Sequence, residues 1–313
     1  MTSAVSHASN PPAPAAPQRW IGAGLLAVSG AGFATLAILA KLAYAQGMRL
    51  LEILDLRFGG AALILIIFLL VRRTRVYFGF RRTLPLLLLG VVGYAVQASL
   101  YVGALQRIPA SVCALLLYSY PAFVALLDWA VNRRRPTRME WLAMGLALAG
   151  VVLTSGRIGP VSTLDRLGVA LVLCSAAWYA GFILASSRVI PRAGSLVGTA
   201  WITLGAFCTF TILGALTGEL PTELTASRAS IMLAMVVFST ILPIGTFMAG
   251  MVRVGPTAAA LLSTLEPAFT VLLAAVFLRE ALAPAQIVGG ALVLAAVVLL
   301  SLPQPEPKPV PGR

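Results

Sequence analysis

The most chemically informative residues of this sequence are polar side chains that lie inside long apolar runs. Glu266 and Pro267 stand side by side in "STLEPAFTVLLAAVFL", residues 263–278. A carboxylate is costly away from water and a proline removes a helix hydrogen bond, so this stretch is expected to face a cavity or another helix. The carboxylate could bind an ammonium group or carry a proton. The alternative is a neutral glutamate that hydrogen-bonds to a neighbouring helix.

A second group of polar side chains shares one helical face. Tyr94, Gln97 and Tyr101 follow the spacing i, i+3 and i+7, which places them on one stripe of a helix. Aromatic faces, hydroxyls and one carboxamide around one acid suit a small amphipathic solute, above all a zwitterion with an apolar side chain. Each hydroxyl could instead bond a neighbouring helix, and Trp178 could simply pack. The other residues predicted to bind substrate are Tyr118, Thr240, Phe247, Thr264, Trp178 and Tyr179.

Membrane-spanning helices must position these residues. Of the 313 residues, 59% are hydrophobic and 11% are charged, whereas soluble domains have about 25% charged residues. The apolar runs lack the alternation of a membrane β-barrel, so the predicted fold class is an all-α integral membrane protein. Ten apolar segments approach the length of about 20 residues that a bilayer requires. Spans 1 to 10 are predicted at 20–42, 50–71, 84–105, 110–131, 139–156, 166–187, 196–217, 230–252, 257–278 and 283–302.

The distribution of Lys and Arg predicts the orientation of these spans. With Arg57 inside span 2 left out, 15 of these residues lie on the side that holds both termini and 7 lie on the opposite side. The positive-inside rule then places both termini in the cytoplasm of a multi-pass protein of the plasma (bacterial inner) membrane. Residues 1–18 are rich in Pro, Ala and Ser and are predicted to form a disordered tail, and residues 303–313 form a proline-rich tail.

The sequence contains an internal repeat with an offset of 146 residues. Between 107–155 and 253–301 there are 17 identities in 49 positions, and the offset pairs Pro121 with Pro267. The repeats, 19–155 and 165–301, hold five spans each, so the second enters the bilayer from the opposite side. Two inverted five-helix repeats are typical of secondary transporters, whose site lies near the midplane between them. Pro121 and Pro267 are the predicted hinges for alternating access.

Two stretches carry a resemblance to a known family. The ending "LEPAFTVLLAAVFLREALAPAQIVGGALVLAAVVLL", with Glu280, Gln286 and Gly289, resembles the EamA-type domain of the drug/metabolite transporter superfamily. "LDLRFGGAAL", with Arg57, resembles the second span of that domain. The first repeat departs from the pattern, because Arg134 occupies the position of Glu280.

The resemblance implies a ten-helix exporter in which spans 3, 4, 8 and 9 line the cavity and spans 5 and 10 lie outside. Similar proteins export amino acids, notably aromatic ones, and other small metabolites or cationic drugs. We therefore expect a secondary transporter that exports amphipathic metabolites, foremost aromatic and other neutral amino acids, by alternating access. The alternative within the superfamily is an exporter of cationic drugs or of other metabolites, and Glu266 suits both.

Other functions find little support in the residues. The single histidine, His7, lies in the tail, and the cysteines lack metal-ligand spacing, so no catalytic residue, metal or cofactor is expected and the chain is not predicted to be an enzyme. Rings of charge typical of channels are missing. The net charge of +13 comes from loop arginines, which set topology and do not indicate nucleic-acid binding. The expected partners are a small-molecule substrate and the lipid bilayer, and a monomer is favoured.

Four further charges, Lys41, Glu52, Asp55 and Arg57, are predicted near the outer ends of spans 1 and 2. Salt bridges or snorkelling to the interface would account for them, and an outer gate is the alternative. Glu280, at the outer end of span 9, is expected to have a structural role.

Cysteine labelling tests the predicted orientation. In a chain whose three native cysteines are replaced by serine, a membrane-impermeant thiol reagent added outside intact cells should label Arg49→Cys and Arg228→Cys. It should not label Arg73→Cys or Arg135→Cys until the membrane is permeabilised. The reverse pattern would contradict the cytoplasmic placement of the termini.

Overall fold

A computed structural model describes residues 16–77, 79–132, 138–154, 165–190, 194–220, 223–254, 262 and 265–301. Within these ranges the regular structure is helical and contains no strand, which confirms the all-α membrane fold. A helix satisfies its backbone hydrogen bonds internally, as the hydrocarbon interior of a bilayer requires. Long apolar runs with few charges therefore form helices throughout.

The described helices fall at all ten predicted spans. Six are long and apolar enough to cross a membrane by themselves, and four shorter apolar helices belong to spans 4, 5, 9 and 10. The bounds are as follows: span 1, Ala16–Ala45; span 2, Leu50–Val71; span 3, Phe80–Leu88, π-helical Leu89–Tyr94 and Ala95–Leu105; span 4, Ala110–Leu117 and Tyr120–Asn132; span 5, Arg138–Thr154; span 6, Arg166–Val189; span 7, Ser195–Thr217; span 8, Ala226–Val236, π-helical Val237–Ile241 and Leu242–Val254; span 9, Leu265–Leu278; span 10, Pro284–Ser301.

The first helix begins earlier than the sequence predicted. It starts at Ala16, so three residues assigned to the N-terminal tail are helical. Pro17 permits this start because the first turn of a helix needs no backbone donor from that residue. The remainder of that tail, the C-terminal tail and most of the first half of span 9 lie outside the described residues.

The packing of the spans follows the repeat. Span 1 packs against spans 8 and 9, and span 6 packs in the same way against spans 3 and 4. Spans 2 and 7 pack against each other, as do spans 5 and 10. Span n of the first repeat corresponds to span n + 5 of the second. Under this correspondence the contacts of span 1 become those of span 6, and the pairs 2–7 and 5–10 are unchanged. The two five-helix repeats therefore make equivalent contacts.

Individual hydrogen bonds obey the same offset of 146 residues. The Ser29 hydroxyl donates to the Pro243 carbonyl at 2.8 Å, and the Ser175 hydroxyl donates to the Gln97 carbonyl at 3.1 Å. Close contact at the first of these pairs depends on Gly32, where an added Cβ would lie 2.6 Å from the Pro243 ring. The sequence pairing of Ser29 with Ser175 thus reflects one structural role that each repeat carries out.

Spans 3 and 8 each contain a π-helical stretch, Leu89–Tyr94 and Val237–Ile241. These stretches overlap when the repeats are aligned by the offset. Pro243 follows the second stretch, and because its ring displaces a carbonyl one turn back, it disfavours a regular α-helix there. A π-helical turn widens the backbone locally and is frequent at functional sites.

Span 4 is interrupted in its middle. Its first helix ends at Leu117, a turn follows at Tyr118–Ser119, and the second helix begins at Tyr120, immediately before Pro121. Pro121 cannot donate to the carbonyl of Leu117 and crowds it, which accounts for the position of the turn. In span 9 the described helix begins at Leu265, so Pro267 lies in its first turn and the preceding residues 263–264 are outside the description.

Glu280 joins the two repeats at the predicted outer side. Its carboxylate accepts hydrogen bonds from the backbone N–H groups of Ala110 and Ser111 at 2.9 and 3.0 Å, and from the Ser111 hydroxyl at 2.8 Å. The first N–H groups of a helix have no partner within it, and the helix dipole favours a negative charge at that end. Glu280 therefore caps span 4 from the end of span 9, which is the structural role expected for it.

Removing the charge of Glu280 should destabilise the protein. In Glu280→Gln one oxygen is replaced by an NH₂ group that cannot accept, and the interaction with the helix dipole is lost. We expect a cost of about 1–3 kcal/mol in the free energy of unfolding. It should appear as a lower thermal midpoint in detergent.

The exposed Glu223 provides a matched control, because Glu223→Gln removes the same charge from the same outer side. The control should leave the midpoint unchanged. Equal midpoints for Glu280→Gln and the unmodified protein would show that the cap does not stabilise the fold.

Candidate functional site

A cavity of about 140 Å³ lies between the two repeats. Spans 1, 2, 3 and 4 of the first repeat and spans 6 and 9 of the second contribute to its wall. Six residues predicted to bind substrate from the sequence are brought together there: Tyr94, Gln97, Tyr101, Tyr118, Tyr179 and Glu266. The remaining lining residues are Phe33, Leu36, Arg57, Ala98, Leu117 and Tyr120.

Glu266 is held next to the interruption of span 4. It lies in the first turn of the described part of span 9, and the Tyr118 hydroxyl donates to its Oε2 at 2.9 Å. Tyr118 belongs to the turn that interrupts span 4. One hydrogen bond therefore connects the irregular segment of the first repeat to the acid of the second, across the wall of the cavity.

Arg57 is the unexpected member of the cavity wall. Its side chain was predicted to lie near the outer end of span 2, yet it is only 4% exposed and lines the cavity. Span 2 begins at Leu50, so Arg57 is about 10 Å below the start of the helix at 1.5 Å per residue. The prediction was wrong because Arg57 is close to the end of the hydrophobic run in the sequence, and this closeness was taken to mean a position near the membrane surface.

The two acids of that predicted cluster have separate partners. Glu52 is 3.7 Å from Arg228 and accepts a hydrogen bond from the Arg49 backbone at 3.2 Å, and Asp55 accepts a hydrogen bond from Thr211. Arg57 shares none of these contacts. Among the described residues, no carboxylate lies within 4.0 Å of its guanidinium.

Arg57 is instead flanked by the π-helical stretches of both repeats. Its Nε donates to the Thr240 hydroxyl at 3.4 Å, and its guanidinium interacts with the phenol of Tyr94. Tyr94 ends the first π-helical stretch and Thr240 lies in the second. Thr240, predicted to bind substrate, is therefore placed behind Arg57 and does not line the cavity.

Aromatic rings form a continuous series of contacts along the cavity. The centroid separations are 5.5 Å for Phe58–Tyr94, 5.4 Å for Tyr94–Phe182, 6.0 Å for Phe182–Tyr179, 5.0 Å for Tyr179–Tyr120 and 5.8 Å for Tyr120–Tyr118. The series runs from the neighbour of Arg57 to the hydrogen-bond partner of Glu266. Such edges and faces provide apolar surface with a few hydroxyl groups, which is the usual lining of a small-molecule site.

Besides Thr240, two predicted site residues that the structure describes do not join the cavity wall. Trp178 is 43% exposed, and its indole N–H donates to the Gly93 carbonyl at 2.9 Å, so it satisfies the backbone of the π-helical stretch in span 3. Phe247 lies half-buried in span 8, outside the lining. Thr264 lies outside the described residues. For Trp178 the packing alternative fits the observed geometry.

Gln97 combines a cavity position with a structural contact. Its amide nitrogen donates to the Ser175 hydroxyl at 3.3 Å, and that hydroxyl donates to the backbone carbonyl of Gln97.

Tyr120 and Arg57 were not among the residues predicted to form the site, although both line the cavity. A signal for each was present, because Tyr120 occupies the repeat-related position of Glu266 and Arg57 is a cation inside an apolar run.

Comparisons with known proteins agree with this architecture. The profile of the EamA-like transporter family matches residues 20–156 and 166–302, once for each repeat. The threonine/homoserine exporter RhtA of Escherichia coli K12 is 30% identical over 245 residues, 77% of this chain and 78% of that protein. The uncharacterized transporter sll1319 of Synechocystis is 29% identical over 208 residues, 65% of this chain and 62% of that protein. A solved crystal structure at 19% identity has a TM-score of 0.62 over 90% of this chain and 96% of its own, which shows a shared fold.

Proposed function

Because this chain belongs to the EamA-like transporter family, we propose that it exports neutral amino acids across the bacterial inner membrane by alternating access. Membership in the family and several apolar helices make it a multi-pass membrane transporter of small molecules. The amino-acid cargo, the direction of transport and the cytoplasmic location of both termini are parts of the proposal. Transport of this kind requires no catalytic residue.

One observation carries the proposal: Glu266 lies in a cavity between the repeats whose wall is mostly aromatic and aliphatic, and Arg57 and Gln97 are its other polar members besides the tyrosine hydroxyls. A carboxylate placed there attracts an ammonium group, and tyrosine faces add cation–π attraction. An amino acid offers an ammonium group beside a carboxylate and a variable side chain. The apolar part of that side chain would pack against the rings that connect Tyr94 to Tyr120.

The size of the cavity favours small cargo. A cavity of about 150 Å³ in another protein holds a benzene molecule, and the cavity here measures about 140 Å³. Small neutral amino acids therefore fit this conformation better than aromatic ones. RhtA, whose name gives threonine and homoserine as its cargo, supports the same choice.

Pro121 and Pro267 are the proposed hinges. The turn at Tyr118–Ser119 supports this role in span 4, because a helix already interrupted can change direction at low cost. The hydrogen bond between Tyr118 and Glu266 would couple that turn to the binding site. A substrate ammonium that attracts Glu266 would then influence the geometry of both spans.

Export of organic cations is a second candidate function. The carboxylate of Glu266 and the tyrosine rings around it form a site that also suits a cation without a carboxylate. The two candidate functions differ in whether the cargo carries a carboxylate in addition to its positive charge. Uptake assays can therefore separate them.

Reconstituted protein tests the choice directly. Proteoliposomes would be given labelled threonine, homoserine, phenylalanine and tetraphenylphosphonium in parallel, with protein-free liposomes as the background. The proposal expects uptake of threonine and homoserine above background and weaker uptake of phenylalanine. Uptake of the organic cation with none of the amino acids would replace the first candidate by the second.

Neutralising Glu266 should depress transport. Glu266→Gln preserves the size of the side chain and an oxygen that can accept from Tyr118, but it removes the charge that attracts the ammonium group. A hydrogen bond to a charged group contributes about 1.5–3 kcal/mol, so we expect the affinity for threonine to fall by about tenfold or more. The measurement is concentration-dependent uptake into proteoliposomes.

Two controls accompany this variant. Glu266→Asp keeps the charge and should retain more transport than Glu266→Gln. Glu223→Gln, on the exposed outer side, should transport like the unmodified protein. If Glu266→Gln had unaltered affinity and rate, Glu266 would be the neutral, helix-bonding residue that its position also allows.

A further inference from the structure

We propose that Arg57 binds the carboxylate of the substrate while Glu266 binds its ammonium group, so that the cavity recognises both charges of a zwitterion. This inference rests on the proposed function and names the chemical class of its cargo. It assigns a specificity-determining role to a residue whose type and position also suit a purely structural role.

The Arg57 guanidinium is buried without an anionic partner among the described residues. A buried cation is costly unless it is paired and hydrogen-bonded, and a guanidinium carries five N–H donors. The part of the chain that the structure describes gives it the Thr240 hydroxyl at 3.4 Å, the Tyr94 phenol and the face of the Phe58 ring 5.0 Å away, but no carboxylate within 4.0 Å. Two neutral hydroxyl groups leave most of its donors for an anion.

The guanidinium of Arg57 also lies at the wall of the candidate binding cavity. Arg57 lines the same cavity as Glu266, which places its charge against the space that the substrate would occupy. The planar fork of a guanidinium matches the two oxygens of a carboxylate and can bind both at once. A substrate carboxylate would therefore supply the anionic partner that the neighbouring side chains do not.

The two charged side chains of the cavity line one space without pairing with each other. Arg57 and Glu266 form no ion pair with each other within 4.0 Å. Glu266 is bonded to Tyr118, and Arg57 is flanked by Tyr94 and Thr240. Separated charges of opposite sign, with aromatic surface between them, complement a molecule that carries an ammonium group and a carboxylate.

Side chains from both repeats position the Arg57 guanidinium. Tyr94 and Thr240 belong to the π-helical stretches of spans 3 and 8, so one element from each repeat contacts the guanidinium. Spans 3 and 8 occupy equivalent places in the two repeats. A carboxylate bound by Arg57 would thus be linked, through Tyr94 and Thr240, to both repeats. A substrate that triggers alternating access must have such a link to both halves of the protein.

A matched pair of ligands tests the inference. Threonine and threoninamide differ only in the carboxylate, and near pH 6.5 both carry an ammonium group, because an α-amino group next to an amide has a pKa of about 7.7–8.0. Each would compete with labelled threonine for uptake by proteoliposomes that contain the full chain. The unmodified protein should bind threonine at least about tenfold more tightly than threoninamide.

Variants of Arg57 should act on one ligand only. In Arg57→Gln the affinity for threonine should fall by about tenfold or more while that for threoninamide stays the same, so that the preference disappears. Arg57→Lys keeps the charge without the fork and should retain part of the preference. If Arg57→Gln does not fold in detergent, the ratio of the threonine and threoninamide affinities is measured in Arg57→Lys instead. That ratio should then be smaller than in the unmodified protein.

Two controls and two contrary results complete the design. Arg49→Gln removes an exposed cation near the start of span 2 and should keep the preference for threonine. Glu266→Gln should weaken both ligands, because both carry the ammonium group. An equal loss for both ligands in Arg57→Gln, or a lack of preference in the unmodified protein that transports threonine, would overturn the inference alone. Failure of the unmodified protein to transport any amino acid would overturn the proposed function as well.

Discussion

The cavity depends on one constraint, which is that a backbone group freed inside a membrane protein must find a partner within the protein. The chain departs from regular α-helix in the π-helical stretches of spans 3 and 8 and in the turn of span 4. Side chains satisfy carbonyls at or next to each of these places. Trp178 donates to Gly93, Ser175 to Gln97, Ser29 to Pro243 and Ser119 to Leu116. These three irregular segments lie where spans of the two repeats meet, and Tyr94 and Tyr118, which belong to two of them, line the cavity.

The repeated backbone carries an unequal set of side chains. The position 146 residues before Glu266 is Tyr120, and the position 146 residues after Arg57 is Thr203. Arg57 and Glu266 therefore each have an uncharged counterpart in the other repeat, and the cavity has one acidic and one basic part. Glu280 caps span 4, whereas the matching position is Arg134, whose guanidinium has no acceptor for helix N–H groups. A symmetric scaffold thus holds an asymmetric site.

The sequence was sufficient for the fold because the signals for it are long and repetitive. Runs of about 20 apolar residues predict helices, and an offset shared by proline and serine positions predicts the repeat. Placement of single side chains was harder. Tyr94, Gln97 and Tyr101 were found because their spacing defines one face. For Trp178 the sequence left cavity lining and packing open, because an indole can satisfy a helix carbonyl or line a cavity and periodicity does not distinguish the two.

Arg57 shows why the charges of the site were the hardest to predict. A cation seven residues into a hydrophobic run can snorkel outward or remain inside, and the choice depends on neighbours from other spans. Those neighbours, Tyr94 and Thr240, come from both repeats and are brought together only by the tertiary fold.

The most direct measurement of the central claim is an experimental structure of the reconstituted protein with threonine bound. The account predicts threonine in the cavity, with its carboxylate on Arg57 and its ammonium group on Glu266. Threonine bound elsewhere, or in the cavity without contact to either residue, would contradict it.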